Sequence, residues 1–240
     1  MPKLELSKVH DAYAAGGECP LCLLMDGAER NYLVSLQGAR VMEPSVRVRT
    51  NRTGFCPEHT RRLYKGENKL GLALVTHTHL REQLPGLLSS LRGMGDAAKD
   101  GRKGKERMEG ALRDLEDLRR RCYLCELLEA DLAHYLFTVL YLWRKDPEFK
   151  PTLARSRGFC LSHFGSLVSA GLSMLRPEEL ARLLEAVLPL MTSSLERLER
   201  DLKAFTELFQ AANRDMGGEE QRLALAHTLQ KLAGSVMRLD

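Results

Sequence analysis

The sequence predicts an all-α fold built from two tandem helical repeats, with a long helix near the C-terminus. Apolar residues recur at spacings of three and four, as in the run Leu128, Leu132, Tyr135, Val139 and Leu142. No segment alternates apolar and polar residues at period two with β-branched side chains, which is the pattern of a half-buried strand. The third observation is an internal duplication, which divides the chain into two similar helical segments.

The duplication has an offset of 103 residues that becomes 104 in its later part. Cys19-Pro20-Leu21-Cys22 matches Cys122-Tyr123-Leu124-Cys125, and Gly54-Phe55-Cys56 with His59 matches Gly158-Phe159-Cys160 with His163. Leu84-Pro85 and Leu188-Pro189 continue the register, so the copies span about 17–92 and 120–196. We therefore expect an N-terminal unit at 1–92 and a C-terminal unit at 106–240. The Gly-rich, charged stretch 93–105 between them is expected to be a flexible linker.

Each repeat carries three cysteines and one histidine, which is the ligand set of a tetrahedral metal site. A CxxC or CxxH motif at the start of a helix places its two donor atoms one turn apart on the same face. Helix N-termini also favour the thiolate form that a metal requires. The sequence predicts that two helix ends meet tip to tip within each repeat and hold it together through a metal. The predicted ligands are Cys19, Cys22, Cys56 and His59 in the first repeat and Cys122, Cys125, Cys160 and His163 in the second.

Zinc is the predicted metal, with two ions per chain, because tetrahedral thiolate–imidazole sites favour it. An iron–sulfur cluster is the alternative, since three cysteines and one histidine also hold such clusters. Six cysteines in two sets of three do not suggest disulfides, because three cannot pair within a repeat. Gly54 and Gly158 are expected to let the chain turn tightly into the second ligand pair, and Phe55 and Phe159 to shield the site from water.

These motifs resemble those of an uncharacterised prokaryotic family of duplicated helical proteins with CPxC and GFCxxH motifs, a domain of unknown function. The resemblance covers nearly the whole chain and implies a helical metal-binding fold without an established activity. The second copy departs from CPxC, because Tyr123 stands where the first copy has Pro20. The ligands themselves are intact.

The longest predicted helix runs from Pro177 to about Asp215, and a last helix runs from Glu219 to about Met237. The helix that starts at Pro177 has an apolar seam, and two interpretations of this seam remain open. It belongs either to a core helix packed on its neighbours, which is favoured, or to a zipper between two copies of the chain. The chain is accordingly expected to be a monomer or a homodimer. The seam consists of Leu184, Leu188, Met191, Leu195, Leu198, Leu202, Phe205 and Phe209.

The net charge of +4 is unevenly distributed, with roughly +5 in residues 1–110 and roughly −1 in the rest. Basic residues flank the first GFCxxH motif, and two interpretations remain open: a solvated face, which is favoured, or a binding site for an anionic partner such as nucleic acid. They are Arg47, Arg49, Arg52, Arg61, Arg62 and Lys65.

No nucleophile–base motif, phosphate-binding loop or paired-carboxylate motif is present in the sequence. A catalytic zinc keeps one position open, whereas each predicted site already has four protein ligands. The sequence therefore favours a zinc-binding, non-catalytic protein that interacts with another macromolecule. An enzyme that uses a cavity between the repeats is a less favoured hypothesis. A redox or metal-sensing protein with iron–sulfur clusters or oxidisable zinc–thiolate sites is the alternative. Without a signal-peptide pattern or a membrane-spanning apolar run, the chain is expected in the cytoplasm.

Overall fold

The structure, a computed structural model, describes residues 3–207 and 218–234. Within these residues it contains eleven α-helices, one short 3-10 helix at Ala39–Met42 and no strand, so the all-α prediction is confirmed. No helix in this part of the chain is long and apolar enough to cross a membrane. The helices are α1 Leu6–Ala14, α2 Pro20–Gln37, α3 Pro44–Thr53, α4 Pro57–Lys65, α5 Lys69–Ala97, α6 Gly101–Arg120, α7 Tyr123–Lys145, α8 Phe149–Arg155, α9 Leu161–Met174, α10 Pro177–Glu207 and α11 Glu219–Ala233.

Prolines begin four of the helices, namely α2, α3, α4 and α10. Proline suits this position because its missing N–H would have no partner in the first turn. The sequence pattern that starts at Cys19 is helical up to about Met42, and a helix interior does not tolerate proline, so this helix is expected to end at Pro44. In the structure α2 already ends at Gln37, and Pro44 instead begins α3, a helix that was not predicted.

The helices form two compact units, and the boundaries between the units lie inside helices. The first unit comprises residues 1–28 and 130–240, and the second comprises residues 29–129. One boundary therefore falls within α2 and the other within α7. Each unit contains residues of both sequence repeats, so the compact units differ from the division predicted from the duplication.

The first unit has a core of aliphatic and aromatic side chains from α1, α2, α7, α8, α9 and α10. Val9, Val139, Phe149 and Val187 are among its fully buried members. Burial of such side chains is the main stabilising contribution to a domain of this kind. Helix α11 packs on α10 and also on α9.

The second unit has a smaller core, in which Leu36, Val46, Leu63 and Leu124 are buried. Helices α3, α4 and α6 each pack on α5. The stretch 93–105 is helical on both sides of a short turn, since α5 ends at Ala97 and α6 begins at Gly101. Helical structure therefore extends into most of the segment that was predicted to be a flexible linker.

The buried face of α10 differs from the predicted seam by about one position. Met191 and Leu198 are buried as predicted, but Leu188 and Leu195 are exposed, at 48% and 36%. The apolar stripe of α10 is wider than one heptad seam, and packing within the unit selects which edge is covered. Phe209 and the predicted extension from 208 to 215 lie outside the described residues. The buried positions are Leu183, Val187, Met191, Ser194 and Leu198.

Candidate metal centres

The eight predicted ligands come together in two groups of four, and within each group the donor atoms lie within 4.8 Å of one another. We call the group in the first unit the buried cluster and the group in the second unit the half-exposed cluster. The buried cluster consists of Cys19, Cys22, Cys160 and His163, and the half-exposed cluster of Cys56, His59, Cys122 and Cys125.

The structure brings all eight predicted ligand residues into these two clusters, but the predicted pairing within each repeat was wrong. Each cluster combines the CxxC of one repeat with the CxxH of the other. Helix geometry supplies the reason. After Cys22, the rest of α2 up to Gln37 carries the chain about 22 Å along the helix axis, and after Cys125 the longer α7 carries it further still. Helices α3 and α8 are too short to bring the chain back before the next CxxH motif.

Each cluster is built from two helix N-termini, as the motif spacing predicted. Cys56 and Cys160 are the N-caps of α4 and α9, and the Cys160 sulfur accepts a hydrogen bond from the His163 backbone N–H at 3.4 Å. The carbonyl groups of Cys19 and Cys122 accept the first helical hydrogen bonds of α2 and α7. The positive ends of two helices therefore face each group of sulfurs and favour thiolates there.

In the buried cluster, Nδ1 of His163 faces all three sulfurs. It lies 3.5 Å from the Sγ of Cys19, 3.4 Å from that of Cys22 and 3.2 Å from that of Cys160. All four residues are buried, and Cys19 and Cys160 have no exposed surface. Any metal held here is enclosed by protein.

In the half-exposed cluster, Nδ1 of His59 lies 3.3 Å from the Sγ of Cys56, 3.2 Å from that of Cys122 and 3.5 Å from that of Cys125. The sulfurs of Cys56 and Cys125 are 3.9 Å apart. Those two cysteines are partly exposed, whereas His59 and Cys122 are buried. Solvent therefore reaches one side of this cluster.

The spacing of the donor atoms suits one tetrahedral ion at each centre. With bonds of about 2.3 Å to sulfur and about 2.0 Å to nitrogen, tetrahedral geometry places sulfurs about 3.8 Å apart and a sulfur and a nitrogen about 3.5 Å apart. The sulfur–sulfur distance of 3.9 Å and the six sulfur–nitrogen distances of 3.2 to 3.5 Å are close to these values. Both histidines direct the same ring nitrogen, Nδ1, to the centre.

The cysteines of each cluster shift one another's pKa values. Hydrogen bonds with Cys19 and Cys22 lower the pKa of Cys160, while hydrogen bonds with Cys160 and Cys19 raise the pKa of Cys22. In the other cluster, burial raises the pKa of Cys125. Burial also acts to raise the pKa of Cys122, but hydrogen bonds with His59 and with the backbone of Cys56 and Cys125 together outweigh it and lower that pKa to about 6. Three neighbouring thiolates repel one another, so all of them ionise together only around a positive ion.

A carboxylate supports the histidine of the half-exposed cluster. Oε1 of Glu29 lies 3.0 Å from Nε2 of His59, and Oε2 of Glu29 pairs with Arg62 at 2.8 Å. Such a carboxylate orients the imidazole and increases its basicity as a metal ligand. Burial works to lower the pKa of His59, yet the hydrogen bonds to Cys122 and Glu29 raise it to about 10. Glu29 was not predicted, because it lies 30 residues from His59 and belongs to no local motif.

A buried ion-pair network lies next to the buried cluster and was also missed by the sequence analysis. Glu18 directly precedes the ligand Cys19, is fully buried and pairs with Arg157 at 2.9 Å and with Arg197 at 2.6 Å. The buried Lys231 donates hydrogen bonds to the carbonyl groups of Glu18 and Arg157, at 2.8 and 2.7 Å. Glu18 directly precedes Cys19, and Arg157 directly precedes Gly158-Phe159-Cys160. The network therefore fixes the two chain segments that supply ligands to the buried cluster. No local sequence signal joins residues so far apart in the chain.

Most of the arginines predicted to contact an anionic partner make contacts inside the second unit. An arginine that is already paired contributes less to binding a nucleic acid, because the new contact must replace the old one. Arg47 donates to the Leu74 carbonyl and to Thr78, Arg49 pairs with Glu126, Arg61 pairs with Glu58, and Arg62 pairs with Glu29 and Glu58.

Comparison with known proteins adds one result. No curated protein and no solved structure matches the chain. A family described as "Family of unknown function (DUF6062)" matches residues 2–238, which is nearly the whole sequence. This match agrees with the family resemblance carried by the CPxC and GFCxxH motifs. The chain therefore belongs to the family of unknown function DUF6062.

Proposed function

We propose that this chain binds two zinc ions, one in each cluster, and that both ions are structural. In this proposal each ion joins a CxxC helix start to a CxxH helix start and fixes the unit around it. The protein itself is proposed to be non-catalytic and to serve as a helical scaffold for contact with another macromolecule.

The observation that carries the zinc proposal is the spacing of the donor atoms. All four donors of each cluster lie within 4.8 Å of one another, as ligands of a single ion do. An iron–sulfur cluster distributes its protein ligands over several irons, one or two to each iron, so the four donor atoms cannot all lie as close together as ligands of one ion. The donor spacing therefore supports a mononuclear centre, and three thiolates with one imidazole favour zinc among the common metals.

The structural role is supported by the completeness of the ligand sets. Zinc that acts on a substrate keeps a position for water or substrate, whereas structural zinc has four protein ligands. Both clusters already supply four protein ligands. In the buried cluster, Cys19 and Cys160 have no exposed surface.

Metal analysis of the purified chain tests this proposal directly. We expect colourless protein with two zinc ions per chain, and a loss of helical structure and a lower melting temperature after chelation. Brown protein that contains iron and inorganic sulfide would contradict the proposal. Metal-free protein with unchanged helicity and melting temperature would contradict the structural role.

The second candidate is redox sensing by the half-exposed cluster. It is favoured by the partial exposure of Cys56 and Cys125, whose sulfurs are 3.9 Å apart. In this scheme a peroxide oxidises the two thiolates to a disulfide and is itself reduced to two waters with uptake of two protons, and zinc is released. Reactivity of this kind requires exposed thiolates, and the buried cluster does not offer them.

Peroxide titration with a zinc indicator distinguishes the two candidates. If the half-exposed cluster is a sensor, one zinc ion per chain is released at least about tenfold faster than the other, and a reductant restores binding. Mass mapping would then find Cys56 joined to Cys125. Release of both ions at the same rate, or only after irreversible oxidation, would leave the structural role alone.

The predicted anionic partner near Arg47, Arg49, Arg52, Arg61 and Arg62 stays a separate prediction. If the interaction exists, the affinity for DNA or RNA falls steeply as salt increases. No binding at low salt would remove nucleic acid from the proposed partners.

A further inference from the structure

The first unit contains a cavity whose lining is strongly basic. The cavity has a volume of about 410 Å³ and lies between the C-terminal turn of α7, helix α8 and the first turns of α10. Four cationic side chains surround it, with a single carboxylate, so the formal charge of the lining is +3. The lining residues are Trp143, Arg144, Lys145, Lys150, Leu153, Ala154, Glu179, Arg182 and Ala186.

The only carboxylate of the lining is already occupied. Glu179 accepts a hydrogen bond from the Arg144 guanidinium at 3.1 Å and another from the backbone N–H of Arg176, also at 3.1 Å. Within the part of the chain that the structure describes, Lys145, Lys150 and Arg182 form no ion pair. These three cations therefore face the cavity without a neutralising partner, and Arg144 is held in place beside them.

One side of the cavity is aromatic and apolar. Trp143 is 7% exposed and Leu153 is 2% exposed, so both are anchored in the core of the first unit. The Lys150 ammonium lies 5.6 Å from the centre of the Trp143 ring, which places a cation at the junction of the aromatic wall and the charged rim. Small-molecule sites commonly combine an apolar wall with a few convergent polar groups in a volume of about 300–1,000 Å³.

From this geometry we propose that the cavity binds a small phosphorylated molecule, a phosphomonoester with a compact organic part. The phosphate dianion faces the two lysines and two arginines, and the organic part lies against Trp143 and Leu153. Arginine pairs with phosphate oxygens through two parallel hydrogen bonds, and lysine supplies a compact charge. A lining charge of +3 favours a dianion over a monocarboxylate. The lining contains no residue of either metal cluster and none of the arginines around Cys56.

Trp143 is the single tryptophan of the chain, so all tryptophan emission comes from the wall of this cavity. Zinc-loaded full-length protein would be titrated at constant ionic strength with ribose 5-phosphate, and with ribose as the uncharged control. We expect a saturable change in emission with ribose 5-phosphate and none with ribose. Equilibrium dialysis with labelled ribose 5-phosphate measures the affinity without relying on fluorescence.

Two matched double variants test the assignment. Lys150→Gln with Arg182→Gln removes two cations of the cavity, whereas Arg200→Gln with Lys203→Gln removes the same two charges elsewhere on α10. We expect the first pair to weaken binding by about tenfold or more and the second to leave it unchanged, since charge-assisted hydrogen bonds to phosphate are lost only in the first.

Three outcomes would overturn the proposal. The first is no binding of ribose 5-phosphate by either method, which would mean that the cations only balance the C-terminus of α7. The second is equal loss of affinity in both double variants, which would indicate a general ionic effect. The third is a change in tryptophan emission on adding chloride that equals the change caused by ribose 5-phosphate. Binding of DNA that depends on Lys150 and Arg182, with no binding of ribose 5-phosphate, would assign the cavity to a nucleic acid instead.

Discussion

The two metal centres contain the same four kinds of ligand but differ in their surroundings. The buried cluster is closed on all sides, and Phe159, which precedes Cys160, has no exposed surface. In the half-exposed cluster the equivalent Phe55 is only half-buried, and Cys56 and Cys125 are partly exposed. The predicted shielding by phenylalanine therefore applies fully to only one centre.

The residues next to the ligands differ in the same way. Tyr123 stands in the second CxxC where the first has Pro20, and its backbone N–H donates to the Gly54 carbonyl at 3.0 Å. Proline has no N–H, so the buried cluster lacks this link between its two ligand segments. Glu29 supports His59, whereas the equivalent position of the second repeat is Leu132.

This comparison teaches that a duplicated ligand motif does not imply two equivalent sites. The half-exposed centre depends on hydrogen bonds and a carboxylate, which water and salt weaken. The buried centre depends on enclosure and on the ion pairs of Glu18. We therefore expect the half-exposed centre to exchange its metal readily and the buried centre to retain it.

Replacing one sulfur ligand in each centre should have the largest effect. In Cys160→Ser we expect the loss of one zinc and of a contribution on the order of 10 kcal/mol, which is enough to unfold the first unit. In Cys56→Ser a water molecule can take the place of the lost sulfur ligand on the exposed side of the centre, so the loss of zinc and of stability should be smaller. Zinc content and urea unfolding measure both.

The same Cys160→Ser variant tests the pairing across the repeats. Alkylation followed by mass mapping should show Cys19 and Cys22 becoming reactive while Cys122 and Cys125 stay protected. Reactive Cys122 and Cys125 would mean that each repeat binds its own metal after all.

Removing the carboxylate behind His59 should have the next largest effect. Glu29→Ala is expected to weaken zinc binding at the half-exposed centre about 10- to 100-fold, as loss of a supporting carboxylate usually does. Glu58→Ala is the control, because Glu58 also pairs with Arg62 but does not contact His59. Competition with a chelator of known affinity measures the difference. Equal effects of the two variants would show that Glu29 acts only through Arg62.

The glycines before the two CxxH motifs should give the smallest difference. Gly54 and Gly158 both have positive φ, at 63° and 74°, so alanine costs about 1–3 kcal/mol at either position. A Cβ at Gly54 would lie 2.6 Å from Nε2 of His79, whereas one at Gly158 would lie 3.1 Å from the flexible Met191 sulfur. We expect Gly54→Ala to be the more destabilising, by about 1 kcal/mol.

Urea unfolding of the zinc-loaded variants checks this order. Gly165→Ala is the control, because Gly165 is helical and its Cβ would meet open space, so this change should stabilise α9 slightly. An equal loss in Gly54→Ala and Gly158→Ala would show that His79 moves aside without cost. His79 is held by a hydrogen bond between its Nδ1 and the Asn51 carbonyl, at 2.6 Å.

Local patterns explain which predictions succeeded. Spacings of three and four specified the helices, and Pro177 placed the start of α10. The ligand residues could also be recognised from the sequence, because the type of residue, the spacing of three and the start of a helix are all local features. The glycine at Gly54 was likewise predicted to turn the chain into its ligand pair, and its positive φ confirms this.

The sequence by itself determined the all-α character of this protein and the eight residues that form its two clusters, because both depend on contacts within a few positions of the chain. Only the tertiary structure decided that Cys19 and Cys22 meet Cys160 and His163 rather than Cys56 and His59. It also decided which edge of α10 is covered, and which carboxylate stands behind His59. Long, straight helices such as α2 and α7 carry the chain away from its nearest equivalent motif, and no pattern of local residues records where it arrives.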